Sequence, residues 1–275
     1  MKFNWTILLS LLTLISSCQQ KTKSSSENKA QEKTTEVVET EKDTILPSQQ
    51  KMDEINQIVE GLSPVRSLRW EKISENGQQS FTSVSAYLND DGIPIKIIEE
   101  YDNGNYQNQG ERSFYLESNQ IIAFEENRDV WIDSTDFLYE EIRSFYDNKE
   151  PVKNEKRSAS SVSEIENKKW NRIRPEKHSL TKIENILSGK GQFATHFISV
   201  IDISSGLFLL LGEPKDKNRY QTAVRVDEKT PFIEDLLNNL DEYKFKPIEI
   251  QFTLEGGAGQ PQFRVLSNAK WKDEE

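Results

Sequence analysis

Apolar positions change spacing several times along the chain, and each change predicts a different element. Residues 5–16, WTILLSLLTLIS, are almost unbroken apolar sequence, whereas residues 18–48 are almost bare of it. From Met52 apolar side chains return at helical intervals (Met52, Ile55, Ile58, Val59, Leu62), with Ser48 placed to cap a helix and Gly61 to stop it. The period then falls to two. SFTSVSAYL, IPIKIIEEY, RSFYL, IIAFEE, VWI and FLYEEIRSFY are separated by NDDG, DNGN and a Ser-Asn pair, all turn sequences. This order predicts an antiparallel meander with a greasy face carrying Val84, Ala86, Ile95, Ile97 and Phe114, and a wet opposite face. The helix around Ile55 is the expected cover of the greasy face.

Residues 151–192 are predicted to be helix or loop. Leu180, Ile183, Ile186 and Leu187 make one apolar stripe there, Ser179 can cap it and Gly189 can end it. Strand signals return with THFISVIDI, an SSG turn and LFLLLG. In RYQTAVRV, Tyr220, Thr222, Val224 and Val226 fall on one face. Thr230-Pro231 then opens a helix, Thr as cap and Pro in the first turn. KPIEIQFTL and QFRVLSN follow, joined by GGAGQP. Three strands, a helix and two strands is the element order of an OB-fold barrel, which this segment resembles in order and length. The expected class is mainly β (α+β): an N-terminal antiparallel β-meander with a short covering helix, plus a C-terminal five-stranded OB-like barrel with one helix.

The apolar head is too short to cross a membrane, since twelve residues at ~1.5 Å each cannot span a core of ~30 Å. Lys2 precedes it and small residues end it, which fits a signal peptide. Ile15-Ser16-Ser17-Cys18 follows, and Cys18 is the one cysteine in the chain. In these residues the sequence resembles bacterial lipoproteins, whose lipobox is an aliphatic residue, two small residues and cysteine; Ile15 stands where leucine is usual. The resemblance covers residues 1–19. It implies cleavage between Ser17 and Cys18, acylation of Cys18 and a membrane anchor in the bacterial envelope. Gln19, rather than Asp, favours the outer membrane, periplasmic or surface-facing. Each buried CH₂ adds ~0.8 kcal/mol, so two or three acyl chains hold firmly.

The expected organisation is a signal peptide (1–17), a disordered polar tether (18–48), an acidic meander domain (49–150), a basic helical or looped connector (151–192) and a small OB-like barrel (193–275). Charge follows these divisions. Residues 50–150 carry net −12 and residues 151–192 net +5, in a chain of net −11. The contrast suggests that the basic segment docks on the acidic sheet, with Lys168, Lys169, Arg172 and Arg174 as the positions to test; the alternative is a solvated basic linker.

The overall negative charge argues against a nucleic-acid partner. One cysteine and two histidines, His178 and His196, leave little for a metal set, and no cofactor is expected. NDDG lacks the oxygen ligands of a calcium loop, and GGAG lacks the Lys-Ser/Thr of a phosphate loop. Carboxylates cluster at Glu99-Glu100, Glu125-Glu126 and Asp129/Asp133, but strand alternation sends neighbours to opposite faces. No catalytic motif is found. The barrel analogy places a binding surface at Phe208, Arg219, Tyr220, Arg225, Glu255 and Gln260. The leading expectation is a lipid-anchored, non-catalytic binding or interaction module with an envelope protein or glycan as partner. The alternatives are an extracytoplasmic hydrolase acting on glycan or peptide through a carboxylate pair, and an immunity-type or assembly lipoprotein.

Overall fold

The computed structural model describes residues 45–74, 77–104, 109–132, 136–214, 220–257 and 260–272. Ser17, Cys18, the apolar head and almost all of the polar stretch lie outside the described residues. Helix α1 (Pro47–Val59) comes first, with Pro47 in its opening turn and Met52 and Ile55 as its buried side chains. Pro suits that place because the first N–H groups have no intrahelical partner anyway. Leu46, not Ser48, is the N-cap residue, and no side chain caps the helix.

After β1 (Val65–Arg66) the chain forms a long meander: β2 (Trp70–Ile73), β3 (Gln79–Leu88), β4 (Pro94–Asp102), β5 (Gln109–Glu117), β6 (Gln120–Trp131), β7 (Phe137–Asp147) and β8 (Glu150–Ala159). Each pairs antiparallel with the next. The β5–β6 and β7–β8 turns each hold two residues at positive φ, Ser118-Asn119 and Asn148-Lys149. That backbone matches the twist of the flanking strands. The expected VWI strand is the end of β6 rather than a strand of its own.

One expectation is corrected at residue 150. The supposed connector begins as strand β8, and the short helix α2 (Val162–Ile165) and strand β9 (Asn171–Arg172) follow it. β8 shows no apolar alternation, because its side chains are matched to charges on β7. Arg157 pairs with Glu141, Lys156 with Glu140, and Glu155 with Arg143. Opposite charges across an antiparallel pair stabilise the ladder much as apolar pairs do. The basic segment does dock on the sheet, through Arg172 in β9 opposite Glu155 on β8, Lys177 to Glu150 and Lys182 to Glu99. Lys168, Lys169 and Arg174 are exposed.

The greasy face holds Val84, Ala86, Ile97 and Phe114 as expected, joined by Phe124 and Tyr146. Ile95 is only half-buried. Helix α1 covers the opposite face, where Met52 and Ile55 pack on Tyr115, Ala123 and Phe145. Tyr115 and Phe145 directly follow Phe114 and Ser144, so at this end both faces of the sheet are shielded. The cover of the inner face is α3 (Thr181–Ser188), with Ile183 and Ile186 buried and Gly189 closing it in the left-handed region.

The remaining strands are β10 (His196–Ile203), β11 (Gly206–Gly212), β12 (Gln221–Val226), β13 (Ile248–Gly257) and β14 (Gln260–Trp271). They follow the order β10-β11-β12-β14-β13, with β12 and β14 parallel. Backbone bonds from Phe197 to Lys246 (2.9 Å) and from Ile248 to Thr195 (2.9 Å) return the last hairpin to β10. The five strands thus close on themselves as a small barrel. Between β12 and β13 lie α4 (Pro231–Asn238) and the single turn α5 (Leu240–Tyr243). Thr230 caps α4 by accepting from the Ile233 N–H.

β12 also pairs with β2 through Gln221 and Glu71, so meander and barrel belong to one sheet. They share one core as well. Trp70, Val84, Phe114 and Phe124 from the meander cluster with Leu209, Leu211, Val224, Ile233, Leu236 and Ile248 from the barrel. Each fully buried side chain of this size contributes roughly 1.5–3 kcal/mol.

Candidate functional site

Further along the same inner face the meander turns polar. Cross-strand register sets Glu99 opposite Arg112, Arg112 opposite Glu126, Arg128 opposite Glu140, and Ile142 opposite Lys156. Hydrogen bonds join these side chains into one line. Lys182 donates to Glu99 (2.6 Å), and Arg112 donates to both Glu99 (3.2 Å) and Glu126 (2.8 Å). Arg128 donates to Glu126 (3.2 Å) and Glu140 (2.8 Å), and Lys156 donates to Glu140 (2.8 Å). The charges alternate strictly from Lys182 to Lys156 across five strands, with a cation at each end.

Neutral donors complete the lower layer. Thr82 donates to Glu99 (2.9 Å) and Tyr101 to Glu126 (2.6 Å). The Arg112 guanidinium lies 4.1 Å from the centre of the Tyr101 ring. Gly110 stands opposite Arg128, where an added Cβ would come within 2.1 Å of the Asn127 carbonyl oxygen and 2.8 Å of the Arg128 Cα. The strands approach too closely at this point for any side chain.

Residues 173–183 cross over this face from the β8 edge to α3. The Ile173 N–H bonds the Asn154 carbonyl at 2.9 Å. His178 stacks on Phe124, ring centres 3.6 Å apart, and its Nε2 lies 3.3 Å from Ser144 Oγ. The His178 backbone N–H donates to the Tyr146 hydroxyl (3.0 Å). Between this strap and the charged line lies a cleft of about 410 Å³. Phe114, Phe124, Ile142, Ile173 and Ile183 form its apolar wall, and Glu176 sits exposed at its rim.

Depth separates the two signs. The side chains of Glu99, Glu126 and Glu140 keep 2–7% exposure, those of Arg112, Arg128, Lys156 and Lys182 23–39%. Burial opposes ionisation of Glu99, but the Lys182 ammonium and the Arg112 guanidinium outweigh it and hold the carboxyl below its ordinary value. Glu140 is likewise held low against burial, by Lys156 and Arg128. Both are therefore fixed anions beneath a layer of cations. Burial pushes His178 below the ordinary histidine value, more strongly than Glu176 and Glu126 raise it, so its ring is neutral at pH 7.

The barrel surface expected from sequence is only partly assembled. Phe208 and Arg225 are cross-strand partners, Arg225 donates to Glu255 (2.6 Å) and Asp227 (2.7 Å), and its guanidinium lies 5.1 Å from the Phe263 ring. Tyr220 is elsewhere, tilted against Phe193 at 4.8 Å and packed on the core. Gln260 pairs with Gly257 in the β13–β14 ladder, and Arg219 lies outside the described residues. Among the described residues no group of three or more His, Cys, Asp or Glu side chains is placed to hold a metal ion. None of their helices is long and apolar enough to cross a membrane.

Sequence reasoning noticed Glu99 and Glu126 as members of acidic pairs but missed the cations that meet them. The available signal was the period-two series Ile97-Glu99-Tyr101 and Phe124-Glu126-Arg128, in which an apolar stripe continues as charge on the same face. Compared with known proteins, the chain matches no family model, no curated protein and no solved structure.

Proposed function

We propose that the protein is a membrane-anchored envelope lipoprotein whose folded body is a non-catalytic binding module. Place is argued from Ile15-Ser16-Ser17-Cys18 behind the apolar head. Role is argued from one observation: every carboxylate in the buried line is neutralised by two cations. Carboxylates locked in this way are poor proton donors, while the cations above them still present N–H groups to the cleft. Such an arrangement suits holding a ligand better than transferring a proton to it.

The hydrolase alternative draws on the outer face, where burial and the neighbouring charges of Glu100 and Glu125 raise the Glu111 carboxyl above its ordinary value. A carboxyl raised by its carboxylate neighbours is the pattern of a candidate general acid. Hydrolysis of an envelope glycan or peptide by the full-length protein, lost in Glu111→Gln, would favour that alternative over the binding module.

The anchor is tested on full-length protein in its own envelope. An alkyne fatty-acid probe should label it, with Cys18→Ser abolishing the label and releasing the protein from membranes. Mass spectrometry that found residues 1–17 still attached to a soluble product would overturn this placement.

A further inference from the structure

Four features of the cleft converge on one ligand chemistry. It is small, about 410 Å³, near the lower end of small-molecule sites, so it suits a compact group rather than a polymer. Its floor is layered, with carboxylates beneath and Arg112, Arg128, Lys156 and Lys182 above. The line holds four cations and three carboxylates, and a fourth carboxylate, Glu176, stands apart at the rim of the cleft, so the positive charge is concentrated on the floor. Beside the cations stand Ile142 and Ile173, half-buried, backed by the buried Phe114, Phe124 and Ile183.

We propose that this cleft binds a small amphiphilic anion, with its carboxylate or phosphate group on the cation layer and its apolar part against Ile142 and Ile173. The inference rests on the binding-module reading of the same cleft. Guanidinium and ammonium donors match such oxyanions, and a drier site strengthens the bonds they make. An organic cation finds no vacant counter-charge on the floor, since Glu99, Glu126 and Glu140 are each held by two cations.

Lys156 and Lys182 are the test positions. As the ends of the line, each touches one of its carboxylates, and each of these keeps an arginine partner when the lysine is removed. Full-length protein in neutral detergent is titrated calorimetrically with phenyl phosphate, benzoate, benzyl alcohol and benzylamine. Phenyl phosphate or benzoate should bind saturably, more weakly as salt rises, and about tenfold more weakly in Lys156→Gln and in Lys182→Gln. Lys156→Arg should retain binding. Lys177→Gln, whose exposed pair with Glu150 lies outside the cleft, should bind like the wild type. Competition by phosphatidylglycerol but not phosphatidylcholine nanodiscs would assign the natural anion to a lipid headgroup, and its absence to a soluble molecule.

Equal or tighter binding of benzylamine or benzyl alcohol would overturn the anion inference and leave the cleft as a binding site. Anion binding unchanged in both lysine variants, each with wild-type circular dichroism, would also overturn it. No binding by any of the four probes would sink the anion inference and the binding-module reading of this cleft together.

Discussion

At one end of the meander's inner face, Val84, Ala86, Ile97, Phe114 and Phe124 pack into the shared core. A few residues along the same strands, Glu99, Glu126 and Glu140 are just as deeply buried, held by Arg112, Arg128, Lys156 and Lys182. The two ends differ in what they require. Apolar burial scales with area and tolerates exchange of one shape for a similar one. A buried ion chain is less tolerant at its interior members, because removing one of them leaves two desolvated neighbours short of a partner. Well-packed apolar side chains in place of the whole chain are often neutral or stabilising. Stability alone therefore gives no reason to keep charges here, and the cation layer facing a cleft does.

The largest effect expected to separate the ends is at Arg112. Arg112→Met leaves Glu99 and Glu126 each short of a partner and should cost about 3–5 kcal/mol in urea unfolding. Replacing Glu126 by Leu in the same chain should recover part of that loss; a double variant as weak as the sum would break the comparison. At the apolar end Phe124→Ala should cost about 3 kcal/mol, and Phe124→Leu under about 1.5 kcal/mol, since shape matters there more than identity.

Gly110→Ala should cost about 1–3 kcal/mol, because the added carbon meets the Asn127 and Arg128 backbone rather than a side chain that can move. A neutral result would show that β5 and β6 can part without disturbing Arg128. Thr230→Ala lies outside both ends and should cost about 1 kcal/mol through the lost cap on α4, giving a reference for an ordinary local change.

Acidification should act on the charged end. His178, Glu99 and Glu140 all have folded-state values below their ordinary ones, so the unfolded chain binds more protons in the acid range. Stability is then fully present above the ordinary histidine value. It should fall as pH drops below that value, and again below the ordinary carboxylate value. Urea midpoints measured from neutral to acid pH should show the first fall reduced in His178→Gln. A midpoint that rises with acid would contradict the burial of His178 and the pairing of Glu99 and Glu140 with their cations.

Legibility followed the type of force. The meander strands, the α3 stripe and the Thr230-Pro231 helix start were readable because apolar periodicity and capping are local signals. β8 was not, since Lys156 and Arg157 read as polar linker until Glu140 and Glu141 stand beside them. The cover of the inner face was misassigned for a related reason. Tyr115, Ala123 and Phe145 make the outer face apolar too, and α1 settles there. Alternation correctly split Glu99 from Glu100 and Glu125 from Glu126, but it could not say which carboxylates would meet arginines.

Spacing along the chain was enough to determine the mainly-β class, the order of the strands and helices outside residues 150–172, and the composition that lets one face turn from apolar to charged. Those properties depend on neighbours a few residues apart. The single core shared by meander and barrel, the line from Lys182 to Lys156 and the cleft above it were decided only in three dimensions. Lys182 and Glu99 lie far apart in sequence, and their attraction acts only once the fold has brought them together away from water.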